Sequence, residues 1–200
     1  MIKVRTGRRR NTRTECNKMV LSFGTVNIKV EKFESYEALD DALALCEAGS
    51  MYAGQKRGSE NAWNMIAVTD SETGEYFGIG LLTASIADPH VLVLANGLMF
   101  IGGDSFAIAF DFNERQVNTL MPLPSDFVDF MYIEDRKCVL IIHKKGVIVK
   151  DSECKELWRH SAGPITGYSV EGDLFIMERQ DGEEIAFKIK NGREVDLGSR

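Results

Sequence analysis

The second half of the chain repeats itself at a period of about forty residues, which limits its fold more than any other feature. Three apolar segments, LMFIGG, VLIIHK and LFIMER, align near Leu98, Val139 and Leu174. Each is followed by a second apolar segment over residues 106–112, 146–151 and 185–190, and then by a short closing segment, QVNTL, KELWR or REVDL. In the closing segments Val117, Leu157 and Val195 align, 40 and 38 residues apart. The last copy, residues 165–197, shows the unit most clearly. Asp181-Gly182 and Asn191-Gly192 favour the positive φ of tight hairpin turns. Ile185, Phe187 and Ile189 alternate with Ala186, Lys188 and Lys190, as a half-buried strand requires. Four short antiparallel strands per period is the pattern of a propeller blade.

Residues 155–195 carry a more particular resemblance. Glu156-Leu157-Trp158 ends an outer strand in tryptophan, and the next unit runs apolar strand, Asp-Gly turn, apolar strand, Asn-Gly turn. This is similar to the repeat of quinoprotein-type and related β-propellers. The resemblance covers residues 90–200 and implies architecture alone. The other two copies have Thr119 and Asp196 near the place of the tryptophan, and no cofactor-binding set carries over. Three units, or four with a partial one over residues 63–82, fall short of most closed propellers. The expectation is a mainly-β fold with one N-terminal helix, built as an incomplete, open propeller-like array of four-stranded antiparallel units. A β-sandwich is the alternative.

Upstream of the repeats, Val26, Ile28 and Val30 alternate as a strand, and Ser35 stands where a helix N-cap is needed. Tyr36, Leu39, Leu43 and Cys46 follow at helical spacing, with Gly49 as the stop. Residues 49–61 are polar and glycine-containing and read as a loop, and 63–69 and 76–82 read as a hairpin. The expected division is a basic tail over 1–18, a strand-helix cap over 19–60 that covers one end of the array, and a β-repeat domain over 61–200.

The formal net charge of −6 is unevenly placed. Residues 1–18 hold seven Lys and Arg against one Glu, a net +6, leaving 17 basic and 29 acidic residues, a net −12, on the remainder. The run TGRRRNTRT has no hydrophobic periodicity and reads as a solvated tail. Its arginines suit phosphate, but no aromatic side chain is interleaved to stack on bases. An acidic body disfavours DNA and anionic membranes and favours a basic protein. No apolar run approaches the ~20 residues that span a bilayer. Cysteines at 16, 46, 138 and 154 form no CxxC pair, so reduced thiols in the cytoplasm are expected over a Cys138–Cys154 disulfide.

Signatures of chemistry are missing. Cys138 and His143 are five apart and point to opposite faces of one strand, and no zinc spacing exists around His90, His143 or His160. No G-x-S-x-G elbow, P-loop or dinucleotide fingerprint occurs, and Gly102-Gly103-Asp104-Ser105 is explained as a hairpin turn. No cofactor, metal or catalytic residue is assigned, and the chain is not read as an enzyme. The most suggestive stretch is MPLPSDFVDFMY, residues 121–132. Its aromatics either fill the core between units or form a recognition ridge. On the second reading Phe127, Phe130 and Tyr132 are anchors, rimmed by Asp126, Asp129, Glu134 and Asp135. The sequence therefore points to a protein-binding module that takes a basic protein partner. Neutralising a toxic nuclease, in the manner of bacterial immunity proteins, is one such role. A small-molecule or carbohydrate-binding protein or hydrolase, with a site where the units converge, is the alternative.

Overall fold

In the computed structural model, residues 19–53, 62–84 and 88–197 are described. The basic tail 1–18, part of the polar loop (54–61) and residues 198–200 lie outside them. The described chain forms β1 (Met19–Phe23), β2 (Val26–Phe33), α1 (Tyr36–Ala44), β3 (Ser50–Ala53), β4 (Ala62–Asp70) and β5 (Tyr76–Thr83). Three units of four strands follow. They are β6 (His90–Val93), β7 (Leu98–Gly103), β8 (Phe106–Asp111) and β9 (Gln116–Pro122); β10 (Phe127–Ile133), β11 (Cys138–His143), β12 (Gly146–Asp151) and β13 (Glu156–Ser161); and β14 (Ile165–Glu171), β15 (Leu174–Arg179), β16 (Glu184–Lys188) and β17 (Glu194–Val195). Each unit is one antiparallel sheet whose strands lie in chain order. The expected mainly-β fold with one helix and repeated four-stranded units is what forms.

The N-terminal sheet differs. Its five strands run β1-β2-β4-β5-β3. β3, inside the stretch read as a loop, lies parallel to β5 with Ser50 opposite Gly78. Strand β2 pairs with β4 over its whole length, so the strand-helix segment and the hairpin share one sheet. Ser35 caps α1 as expected, its hydroxyl oxygen accepting from the Ala38 N–H at 3.2 Å. Leu39, Leu43 and Cys46 bury against Met65 and Ala67 on the outer face of this sheet. The helix comes this close because β5 carries Gly78 and Gly80. A Cβ at Gly78 would sit 2.6 Å from the Cys46 sulfur, and one at Gly80 would sit 2.7 Å from Leu43 Cδ1.

Strand alternation then builds a stack. On β7 and β8, Met99, Ile101, Ile108 and Phe110 face the first sheet and pack on Ile66 and Ile79. Their neighbours Phe100, Ala107 and Ala109 face the third sheet and meet Val139, Ile141 and Ile148. On β11 and β12, Leu140, Ile142, Val147 and Val149 face the fourth and meet Phe175, Met177 and Phe187. Both faces of these central strands are covered, which is why their sequences are nearly continuous apolar runs. The sheets follow one another in an open stack rather than pairing as a two-sheet sandwich. Trp158 ties the last two together. Its indole N–H donates to the Ile189 carbonyl at 2.7 Å. No helix among the described residues is long and apolar enough to cross a membrane.

Candidate functional site

The middle strands of each unit are consumed by the core, so candidate surface falls to the first and last strands. The first strands β6, β10 and β14 share a side chain that bridges them. Asp129 on β10 accepts a hydrogen bond from the Tyr168 hydroxyl of β14 at 2.8 Å. Its other carboxylate oxygen lies 3.3 Å from His90 Nδ1 of β6. It also accepts from the Phe130 N–H at 2.8 Å, which fixes its rotamer. Burial pushes the Tyr168 phenol up to about 12, with the bond to Asp129 adding to the shift. His90, Asp129 and Tyr168 are 39 and 39 residues apart and lie on the first strands of three successive units, opposite Gly102, Ile142 and Met177 of the second strands. Sequence reading aligned the second, third and fourth strands but not the first, and so missed this column. The constant spacing was the signal available.

The expected ridge is divided by the structure. A bulge in β10 between Phe127 and Asp129 breaks the strict alternation. Phe127 and Phe130, three apart, therefore face the same interface, where their rings lie 4.6 Å apart. Phe130 reaches Phe100 at 5.9 Å, and the His90 ring meets Phe127 edge-on at 5.3 Å. Both phenylalanines are partly buried core between the second and third sheets. The room for Phe127 comes from Gly102, whose Cβ would meet that ring at 2.5 Å. Asp126 precedes the strand and pairs with Lys144 at 2.8 Å. Tyr132 is exposed near its other end, and Glu134 and Asp135 are exposed on the 3-10 turn that follows. Eight residues of extended chain separate Asp126 from Glu134, about 26 Å. These acids therefore border opposite ends of one strand rather than one cluster, with Asp129 between them.

Other chemically interesting groups are satisfied in place. His143, only 1% exposed, lies with Nδ1 2.9 Å from the Ser125 hydroxyl, and that nitrogen also accepts from the Lys145 N–H. Burial, helped by the Arg159 charge, holds its imidazole below the ordinary value of 6.5, so it is neutral at pH 7. His160 stacks on Phe187 at 4.1 Å. Cys46, Cys138 and Cys154 are free thiols. Cys138 faces the fourth sheet and Cys154 the second, and burial pushes both up to about 11. Among the described residues no group of three or more metal-ligating side chains occurs. A cavity of about 530 Å³ opens where the first and second sheets splay at their turns. Phe77 and Phe110 are among its apolar lining, with Asp70, Asn113 and an ion pair of Arg115 with Glu75 contributing polar groups.

No protein-family model matches the chain. No curated protein matches it either. Among solved structures it is similar to Saccharomyces cerevisiae Sqt1, at a TM-score of 0.46 and 11% identity, over 70% of this chain. The chain spans 46% of the length of that structure.

Proposed function

We propose that the chain is a protein-binding module that engages a basic protein through the surface made by β6, β10 and β14. The carrying observation is Asp129, which joins these three strands into one surface while Asp126, Tyr132, Glu134 and Asp135 stand at its margins. Bridged side chains cost less to order on binding than free ones. Unburied carboxylates on a body of net −12 attract a cationic partner and speed its encounter. Neutralising a basic nuclease within the cytoplasm is a role of this kind, and three free buried thiols support a reducing compartment. Kinship with quinoprotein-type repeats is part of the same reading. It is supported by Trp158, whose ring lies against Gly192 of the following unit.

The test is recovery of the partner from the source cell, followed by affinity at several salt concentrations. Asp126→Lys, Glu134→Lys and Asp135→Lys together should weaken binding and flatten its salt dependence. Asp129→Asn alone should weaken it without changing the fold. An unchanged affinity and salt slope would refute this placement. Recovery of nucleic acid that is lost when Arg8, Arg9, Arg10 and Arg13 are replaced by Ser would assign the function to the tail instead. The small-molecule reading draws support from the cavity beside Phe77 and Phe110, whose volume lies in the range of ligand pockets.

A further inference from the structure

The outer face of the first sheet carries a second surface, independent of β10. Among the described residues six large apolar side chains are notably exposed, and two of them, Tyr36 at 36% and Tyr52 at 41%, meet where α1 begins beside β3. Tyr36 opens α1, and Tyr52 lies on β3 beside it. Their rings stack with centroids 5.7 Å apart and planes 13° from parallel. The Tyr52 hydroxyl donates to Asp40 at 2.8 Å. That bond and the packing of Tyr52 over Gly80 hold the pair in place. Around them Glu37, Asp40, Asp41 and Glu47 are exposed, and residues 35–49 include no Lys, Arg or His. The last turn of α1 has no basic residue to oppose them. Surface helices ordinarily mix both signs and turn large aromatics inward. Here an exposed aromatic pair lies beside a helix whose charged side chains are all carboxylates.

We infer that this surface binds an arginine-bearing segment of a protein partner, with a guanidinium laid on the Tyr36–Tyr52 pair and paired with the Asp40 and Asp41 carboxylates. The planar guanidinium suits both halves of the surface, because it stacks on aromatic faces and bonds carboxylates in a fork. A lysine ammonium gains the charge attraction but not the stacking or the fork.

The test titrates a fluorescein-labelled peptide of three Gly-Arg repeats into the full chain, with its Gly-Lys counterpart, by anisotropy. The arginine peptide should bind at least threefold tighter than the lysine peptide. Tyr36→Leu with Tyr52→Leu should weaken arginine binding about tenfold and erase that preference. Asp41→Lys changes an exposed side chain of the site, so it keeps the fold intact and should weaken binding several-fold by like charge. Glu134→Lys with Asp135→Lys, which tests the β10 surface, should leave peptide binding unchanged. Equal binding of the two peptides, or wild-type affinity in Asp41→Lys, would overturn the inference. An equal loss from the Glu134 and Asp135 changes would reduce the effect to diffuse electrostatics and also overturn it. Tighter binding when Arg8, Arg9 and Arg10 are replaced by Ser would overturn the external partner and make the chain's own tail the occupant.

Discussion

Replacing Gly192 by Ala tests how the fourth sheet is held to the third. Gly192 has φ +68°, where an L side chain costs roughly 1–2 kcal/mol. Its added Cβ would stand 2.7 Å from Trp158 Cδ2 and 2.8 Å from Cγ, inside the closest distance carbons tolerate. Overpacking of this kind costs about 1–3 kcal/mol. The two terms are physically separate, since the first is local to the backbone and the second needs the indole. Gly192→Ala should therefore lower stability by roughly 2–5 kcal/mol in the wild type. With Trp158→Ala already present, only the backbone part should remain, roughly 1–2 kcal/mol. The coupling between the two changes is then about 1–3 kcal/mol, with the double variant less damaged than the sum. Urea unfolding followed by far-UV circular dichroism measures all four proteins. Additivity within about 0.5 kcal/mol would refute the reasoning, because it would mean that the indole does not stand against Gly192.

Two further outcomes are expected from the same kind of measurement. Gly80→Ala adds a methyl 2.7 Å from Leu43 Cδ1 and 2.9 Å from Tyr52 Cδ1, so it should destabilise by about 1–3 kcal/mol and weaken arginine-peptide binding; an unchanged urea midpoint would show that α1 is not seated on β5. His143 is held below 6.5 in the folded chain, so below that pH the unfolded chain takes up a proton that the folded one refuses. Stability should fall as pH drops from 6.5 toward the lowered value, by at most about 1.4 kcal/mol per pH unit, and His143→Asn should lessen that fall; equal slopes for the two proteins would count against a buried neutral imidazole.

The units of the fold were legible because their turn chemistry repeats. Asp111 and Asp151 each end a third strand and accept backbone N–H groups two residues on, while Asn191 plays the same part in the last unit. Such local bonds depend on residues close in sequence, and sequence displays them directly. What stayed hidden depended on distant partners. Strand β3 pairs in parallel with β5, from which β4 separates it in the chain, and its alternation over four residues is too short to register. The glycines of β5 could have been read as a place of close approach. They do not say what approaches, and α1 supplies that answer only in three dimensions.

The fate of the aromatics follows from the same distinction. Phe127, Phe130 and Tyr132 stood in one stretch and invited reading as one ridge. A single bulge turns two of them inward, and a bulge leaves no reliable mark in composition. Tyr36 invited the opposite error. It shares helical spacing with Leu39, Leu43 and Cys46, which are buried, yet it opens the helix at the sheet edge and remains exposed. Periodicity assigns a residue to a face of an element, but the extent of the opposing surface decides whether that face is covered there. β3 is four residues long, and Tyr52 stands on it as the neighbour that Tyr36 meets. With Tyr52 on the edge strand beside the start of α1, both tyrosines stay half in solvent.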